Sequence, residues 1–184
     1  MNWLSLIAIA LTAYVSIFLE ALPGTGLRSF LGVQLDVLPS LMAYTAMAQG
    51  PFPVAALSVL AGLGFDSVSA NPLGITVLPL LSIGLLVHLG RDFILADQVF
   101  AQIGVGAMAS ALAPVLTVIS LLGAGDQPLA GWGSLWQWLV MAVAGGLLTP
   151  IWFKLFGRIG TLFSYPVLAE TSFQPDHEMK RGRF

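Results

Sequence analysis

The sequence predicts an all-α membrane protein, a bundle of six transmembrane helices with both termini on the cytoplasmic side. The first observation is the composition, with 57% hydrophobic and only 9% charged residues, whereas soluble domains carry about 25% charged residues. The second is a series of apolar segments separated by Gly, Pro and charged residues. The third is the placement of the basic residues along the chain. A chain so poor in charge is expected to face lipid over most of its surface.

Four apolar segments have about the 20 residues that a spanning helix needs. They are residues 3–22, 73–89, 98–122 and 134–156. Two shorter apolar segments, 37–48 and 52–65, flank Gln49, Gly50 and Pro51, and we interpret them as a helical hairpin that completes six helices. The alternative is a re-entrant hairpin at the same place, which leaves four spanning helices.

The first apolar segment is expected to be a retained helix and not a signal peptide. No Lys or Arg precedes Arg28, and the run is longer than a usual signal-peptide core. The predicted organisation is a single transmembrane bundle over residues 1–160, followed by a polar cytoplasmic tail over 161–184. The tail charges alternate in sign, which favours a flexible segment.

Orientation follows from the positive-inside rule. An even number of spans puts both chain ends on one side, and six basic residues then share the cytoplasmic face while Arg28 lies outside. These six are Arg91, Lys154, Arg158, Lys180, Arg181 and Arg183. Tryptophans are expected to anchor the helices at the two interfaces, namely Trp3, Trp132, Trp136, Trp138 and Trp152.

The sequence offers no constellation for catalysis, and we expect no enzyme, no cofactor and no metal site. The chain has no cysteine, and its two histidines, His88 and His177, are far apart and lack the spacing of metal ligands. We expect His88 to be an interfacial residue. The net charge of −2 argues against nucleic acid as a partner.

One acidic residue, Asp66, lies in the stretch GLGFDSVSANPLG, where an apolar run meets a turn formed by Asn71, Pro72 and Gly74. Two interpretations are open for its carboxylate. It is either solvated or a simple cap at the membrane boundary, or it is partly buried and holds the loop 67–74 by accepting hydrogen bonds from backbone amides. Pro72 suits the first turn of a helix, and Gly74 permits close helix approach.

Small residues four apart predict where helices approach closely in a membrane, because packing there depends on backbone proximity. The pairs are Gly106 with Ser110, Ala107 with Ala111, and Ala142 with Gly146. We expect such grooves to receive a neighbouring transmembrane helix.

Two motifs resemble the MreD family of bacterial rod shape-determining proteins. The first combines an early Pro39 with GLGFDSVSANPLG, in which Asp66, Leu73 and Gly74 match the family's hallmark spacing. The second is LLTPIWFKLFGRI, where Pro150 precedes aromatic and basic residues. The likeness covers roughly residues 37–160. The chain departs from the family pattern at Ala70, where Gly is usual, and in its long polar tail.

The resemblance implies a non-enzymatic subunit of the cell-elongation machinery in the bacterial cytoplasmic membrane. Its implied partner is MreC, through that protein's transmembrane helix and adjacent periplasmic part, with MreB, RodA and a penicillin-binding transpeptidase as indirect partners. The implied fold is similar to the substrate-binding S-component of energy-coupling-factor vitamin transporters, so a true S-component is the alternative function. The residues implied as partner-interface or structural-motif candidates are Asp66, Asn71, Pro72, Leu73, Gly74, Pro39 and Pro150.

Overall fold

A computed structural model of the chain describes residues 3–21, 35–69, 72–94, 98–125 and 131–163. These ranges contain six α-helices and no β-strand, which confirms the all-helical prediction and the number of helices. A 3₁₀ turn, Arg91–Phe93, follows the fourth helix. The helices are α1 (Trp3–Ala21), α2 (Leu38–Ala48), α3 (Pro51–Val68), α4 (Val77–Gly90), α5 (Val99–Ala124) and α6 (Trp132–Phe163).

The helices differ in length, as the predicted apolar segments do. Three are long and apolar enough to cross a membrane, over Pro51–Val68, Val99–Ala124 and Trp132–Gly160, and Ser5–Ala21 forms a shorter apolar helix. By contrast α2 has 11 residues and α4 has 14, lengths of about 16 and 21 Å. A hydrocarbon core is about 30 Å thick, so both helices are shorter than this thickness.

The start of α4 also differs from the prediction. The sequence places the fourth helix at residue 73, whereas the structure begins it at Val77 and forms a turn over residues 73–76. The turn includes Gly74 with φ of +93°, a left-handed conformation that no α-helix contains.

The central element is α2. Every residue from Leu38 to Met47 is buried, and α2 contacts each of the other five helices. Tyr44 stacks on Phe156 of α6 with ring centroids 4.8 Å apart and meets Phe153 edge-on at 4.9 Å. The bundle is therefore organised around a short inner helix.

Helices α5 and α6 approach each other closely at two glycines. A Cβ added to Gly106 would lie 2.6 Å from the carbonyl oxygen of Gly145, and one added to Gly145 would lie 3.0 Å from that of Gly106. Ser110 and Thr149 fill the rest of this contact and are fully buried. The predicted small-residue pair Gly106 and Ser110 therefore packs against α6 inside the bundle, which confirms that helices approach closely there.

The two prolines carried over from the resemblance are both buried. Pro39 occupies the second position of α2, where a backbone N–H has no intrahelical partner to lose. Pro150 lies inside α6, which continues to Phe163. Both prolines therefore pack inside the described part of the bundle.

The tryptophan prediction needs one correction. Trp152 is half-buried, and its Nε1 donates a 3.0 Å hydrogen bond to Oγ of Ser40. It therefore ties α6 to α2 inside the bundle and is not only an interfacial anchor. The three tryptophans at the start of α6 are exposed, and Trp138 donates a 2.7 Å hydrogen bond to the carbonyl oxygen of Ala111.

Candidate functional site

Successive helices connect at two ends of the bundle. The Asp66 end is the end where α3 stops and α4 starts, and the His88 end is the end where α4 stops. Asp66 is 2% exposed. Its Oδ2 accepts hydrogen bonds from the backbone amides of Gly74, at 2.8 Å, and Thr76, at 3.0 Å, while its Oδ1 accepts one from the Thr76 hydroxyl.

This geometry selects the second interpretation of Asp66, because the carboxylate is buried and holds the following loop. We call the unit of Asp66, Gly74 and Thr76 the Asp66 clamp. Both carboxylate oxygens of Asp66 accept hydrogen bonds within the clamp, so the buried carboxylate is not available to a partner. The residue that the clamp presents outward is Leu73, which is 72% exposed.

Two other motif residues have simpler positions. Pro72 is exposed and lies before the turn over 73–76, outside α4. The expectation that it occupies the first turn of the helix is therefore wrong, because the helix starts later. Asn71 lies outside the described residues.

The amino end of α2 is capped by two carboxylates. Oε1 of Glu20, in the last turn of α1, accepts a 3.0 Å hydrogen bond from the Val37 amide, and Oδ1 of Asp36 accepts one of 2.9 Å from the Leu38 amide. Negative groups are favourable at this helix end because the helix dipole is positive there. Oε2 of Glu20 is buried with no hydrogen-bond partner in the described ranges.

The other end of α2 is capped by residues from the end of α4. Nδ1 of His88 lies 3.1 Å from the carbonyl oxygen of Ala46, a contact in which Nδ1 is the donor because a carbonyl can only accept. The Arg91 guanidinium donates to the carbonyl oxygen of Gln49 at 3.4 Å. His88 is thus a half-buried cap on the central helix, a role that the sequence-based expectation of an interfacial residue did not include.

A cavity of about 360 Å³ opens at the Asp66 end, between the ends of α3 and α4 and the facing sides of α5 and α6. Gln137 and Met141 of α6 line it, and they lie about 8 and 14 Å along the helix axis from Trp132, the first residue of α6. Polar side chains reach it from five segments of the chain, namely Asp36, Ser69, Thr76, Thr117 and Gln137. Its apolar walls are Phe65, Ala113, Pro114, Val118 and Met141.

Reasoning from the sequence missed this polar cavity. Thr117 and Gln137 are isolated polar residues in apolar helices, and nothing in their spacing relates them to each other or to Asp36. Convergence of side chains from separate helices depends on packing, which sequence periodicity does not encode.

A second cavity, of about 470 Å³, is an apolar groove between α4 and α5. We call it the α4–α5 groove. Its floor includes Gly104, where an added Cβ would meet no atom within 4 Å. Its lining residues are Ile83, Leu86, Val87, Gly90, Phe93, Ile94, Ala101, Gly104, Val105, Met108, Ala109 and Leu112.

Charged groups are sparse in the described ranges. The Arg91 and Asp92 side chains form an exposed ion pair at 3.6 Å, and within these ranges no three metal-binding side chains gather at one place. Asp36 and Asp66 have no ion-pair partner among the described residues. Among the described residues, the carboxylates of the Asp66 end therefore have hydrogen-bond donors as their partners. No protein-family model, curated protein or solved structure matches the chain.

Proposed function

We propose that the chain is a non-enzymatic membrane subunit of the bacterial cell-elongation machinery, and that it binds MreC in the cytoplasmic membrane. The apolar helices support a membrane location, and the resemblance of the Asp66 and Pro150 motifs to the MreD family supplies the rest. In this proposal the chain acts by binding MreC and catalyses no reaction. MreB, RodA and a penicillin-binding transpeptidase are indirect partners that MreC connects to the chain.

The observation that carries the proposal is the Asp66 clamp. The hallmark spacing from Asp66 to Leu73 and Gly74 has a physical reason, since the carboxylate binds the amide of Gly74 at 2.8 Å and Gly74 has a φ of +93°. The clamp fixes the turn that displays Leu73 at the start of α4. An exposed leucine on a rigid turn is suited to contact the periplasmic start of a partner's helix.

The groove that we assign to the MreC helix is the α4–α5 groove. The small-residue face of α5 at Gly106 already packs on α6, whereas Gly104 remains open. Close approach of two helices in a membrane needs small residues at the contact. A helix that lay in this groove and continued along α4 beyond Ile83 would approach the Asp66 end, where the Leu73 turn precedes α4.

Co-purification of MreC from membranes of a rod-shaped host tests this proposal. Leu73→Trp, Gly74→Leu and Gly104→Leu should each reduce MreC recovery strongly while membrane insertion is retained. The matched controls are Leu60→Trp, at an exposed leucine of α3, and Gly157→Leu, at an open glycine of α6, and both should recover MreC normally. Normal recovery with all three test variants would refute both contact assignments.

Asp66→Asn separates charge from shape at the clamp. Asparagine keeps one acceptor oxygen for the Gly74 or Thr76 amide and loses the second. We expect reduced MreC recovery through a loosened turn. Recovery equal to that of the wild type would reduce Asp66 to a polar cap with no role in binding.

A second candidate function is the substrate-binding S-component of a vitamin transporter, and the polar cavity at the Asp66 end favours it. Such a protein needs polar side chains from several helices around one cavity, as Asp36, Thr117 and Gln137 are here. A vitamin panel in a thermal-shift assay tests this function, because a ligand that binds only the folded protein raises its melting temperature. A scaffold subunit should be stabilised by MreC and by no vitamin.

A further inference from the structure

We propose that the polar cavity at the Asp66 end binds a small organic cation, an ammonium compound with an apolar body. The inference stands apart from MreC binding, and it specifies the ligand class that the second candidate function leaves open. It rests on which hydrogen-bonding groups face the cavity and on the charges around it.

The hydroxyl groups of the cavity already donate their protons within the protein. Thr117 donates to the carbonyl oxygen of Ala113 at 2.9 Å, Ser69 to that of Asp66 at 3.4 Å, and Thr76 to Oδ1 of Asp66. A hydroxyl has one proton and two lone pairs. The two threonine oxygens can therefore offer a ligand only acceptor positions.

The remaining polar groups point to the same ligand chemistry. Asp36 uses Oδ1 to accept from the Leu38 amide, and its carboxylate lines the cavity as an acceptor. Gln137 can present either its oxygen or its amide protons. Asp36, Thr76 and Thr117 thus offer acceptor positions and Gln137 can add another, so the cavity favours a ligand that is rich in hydrogen-bond donors.

The charges favour a cation among such donors. Among the described residues no Lys, Arg or His lines the cavity, whereas Asp36 does. Asp66 accepts the hydrogen bond of the Thr76 amide beside it. A low-dielectric cleft with charges of one sign concentrates the opposite charge.

The walls set the size and shape of the ligand. The cavity volume of about 360 Å³ is at the small end of the range for small-molecule sites. Phe65 and Met141 offer an aromatic face and a polarisable thioether to an apolar body, and an aromatic face also attracts a cation.

Three compounds that share a phenylethyl group and differ in the charged or polar group attached to it test the inference with the full-length protein in detergent or nanodiscs. Phenethylamine is cationic, 2-phenylethanol is neutral and 3-phenylpropanoate is anionic. We expect saturable stabilisation by phenethylamine alone, measured as a rise in melting temperature. Equal effects of the amine and the alcohol, or no effect of the amine, would overturn the proposal.

Variants locate the binding. Asp36→Asn keeps the acceptor for the Leu38 amide and removes the charge, and it should weaken phenethylamine binding about ten- to a hundredfold. Thr117→Val preserves shape and removes one acceptor, so it should weaken binding less. Asp92→Asn, at an exposed carboxylate of the His88 end, should leave the affinity unchanged. Wild-type affinity in both Asp36→Asn and Thr117→Val would contradict the assignment.

Acidification gives an independent readout. Burial raises the pKa of Asp36 to about 6, so the carboxylate is ionised at neutral pH and protonated at pH 5. Glu20 is the neighbouring titratable group, and Asp66 is the other carboxylate near the cavity. Phenethylamine affinity should fall between pH 7 and pH 5, and a pH-independent affinity would count against binding at Asp36. Co-purification of MreC measures a different property, so either proposal can fail alone.

Discussion

The backbone amide of Val37 donates a 3.0 Å hydrogen bond to Oε1 of Glu20, 17 residues earlier in the chain. This bond joins the end of α1 to the start of the buried helix α2. The Leu38 amide is satisfied by Asp36 at 2.9 Å, and Pro39 has no amide to satisfy. The intrahelical hydrogen bonds then begin with the Leu41 amide and the Val37 carbonyl, at 3.2 Å. A buried helix end needs such partners because an unpaired amide there is costly.

Removing the Glu20 acceptor should therefore destabilise the bundle. Glu20→Ala leaves the Val37 amide unpaired, and we expect a loss of about 1 to 3 kcal/mol in the free energy of unfolding. Glu20→Gln keeps an acceptor at the same place and should retain most of the stability. Reversible unfolding in mixed detergent measures both, and a Glu20→Ala variant as stable as Glu20→Gln would show that this hydrogen bond is unimportant.

Loss of the Asp66 clamp should be visible at a single amide. Asp66→Ala removes the acceptor of the Thr76 amide, which is buried. Hydrogen–deuterium exchange at Thr76 should then become much faster, while exchange in the middle of α2 changes little. Unchanged protection at Thr76 would mean that the clamp does not order this turn.

Gly74 should tolerate no side chain without cost, although the space around it is open. Its φ of +93° is unfavourable for an L-residue, so Gly74→Ala should cost about 1 kcal/mol. Gly157→Ala, in an exposed and open position of α6, is the control and should be neutral or slightly stabilising. Equal melting temperatures for the two variants would argue against a left-handed Gly74.

Substitutions at Gly104 and Gly106 of α5 should differ in their effect on stability, because only Gly106 lies in the contact with α6. An added Cβ at Gly106 would lie 2.6 Å from the Gly145 carbonyl oxygen, whereas one at Gly104 meets nothing within 4 Å. Gly106→Ala should destabilise the protein by about 1 to 3 kcal/mol through overpacking. Gly104→Ala should be neutral or stabilising, because alanine favours a helix. Thermal unfolding of the pair measures the difference, and a reversed order would contradict this packing.

The stability of the protein should depend on pH through Asp36. Because burial raises its pKa from 3.8 to about 6, the folded state binds the proton more tightly than the unfolded state. The contribution of Asp36 is thus fully present below pH 4 and is lost as the pH rises through about 6. As the pH rises from 4.5 to 7.5, the wild type should lose this contribution whereas Asp36→Asn has no such group to titrate. The stability of Asp36→Asn relative to the wild type should therefore increase over this interval. A constant difference in melting temperature over that interval would exclude this titration.

Several features of the fold follow from the sequence because they depend on local composition and period. The apolar segments and their Gly and Pro boundaries predict six helices, and six are present in the described ranges. The hairpin between α2 and α3 follows from Gln49, Gly50 and Pro51. Asp66 was predicted near a turn, with a loop-holding role as one of two interpretations.

Other features do not follow from local signals. Gly106 and Ser110 were recognised as a close-packing pair, but the sequence does not say which helix they meet, and the structure places them against α6. His88 and Glu20 are each single polar residues near a helix end. Their capping of α2 requires partners 42 and 17 residues away in the chain, and no periodicity relates residues so distant.

The sequence alone determined that this chain is helical and apolar, since both properties are sums over neighbouring residues. Only the tertiary structure decided that α2 is enclosed by the other five helices and that the Asp66 carboxylate binds the turn that follows it. It also decided that five polar residues from separate segments line one cavity. Those outcomes depend on how helices pack and which buried groups must find a partner. The partner of a buried polar group lies in another segment of the chain, and the residue pattern of one segment does not identify that partner.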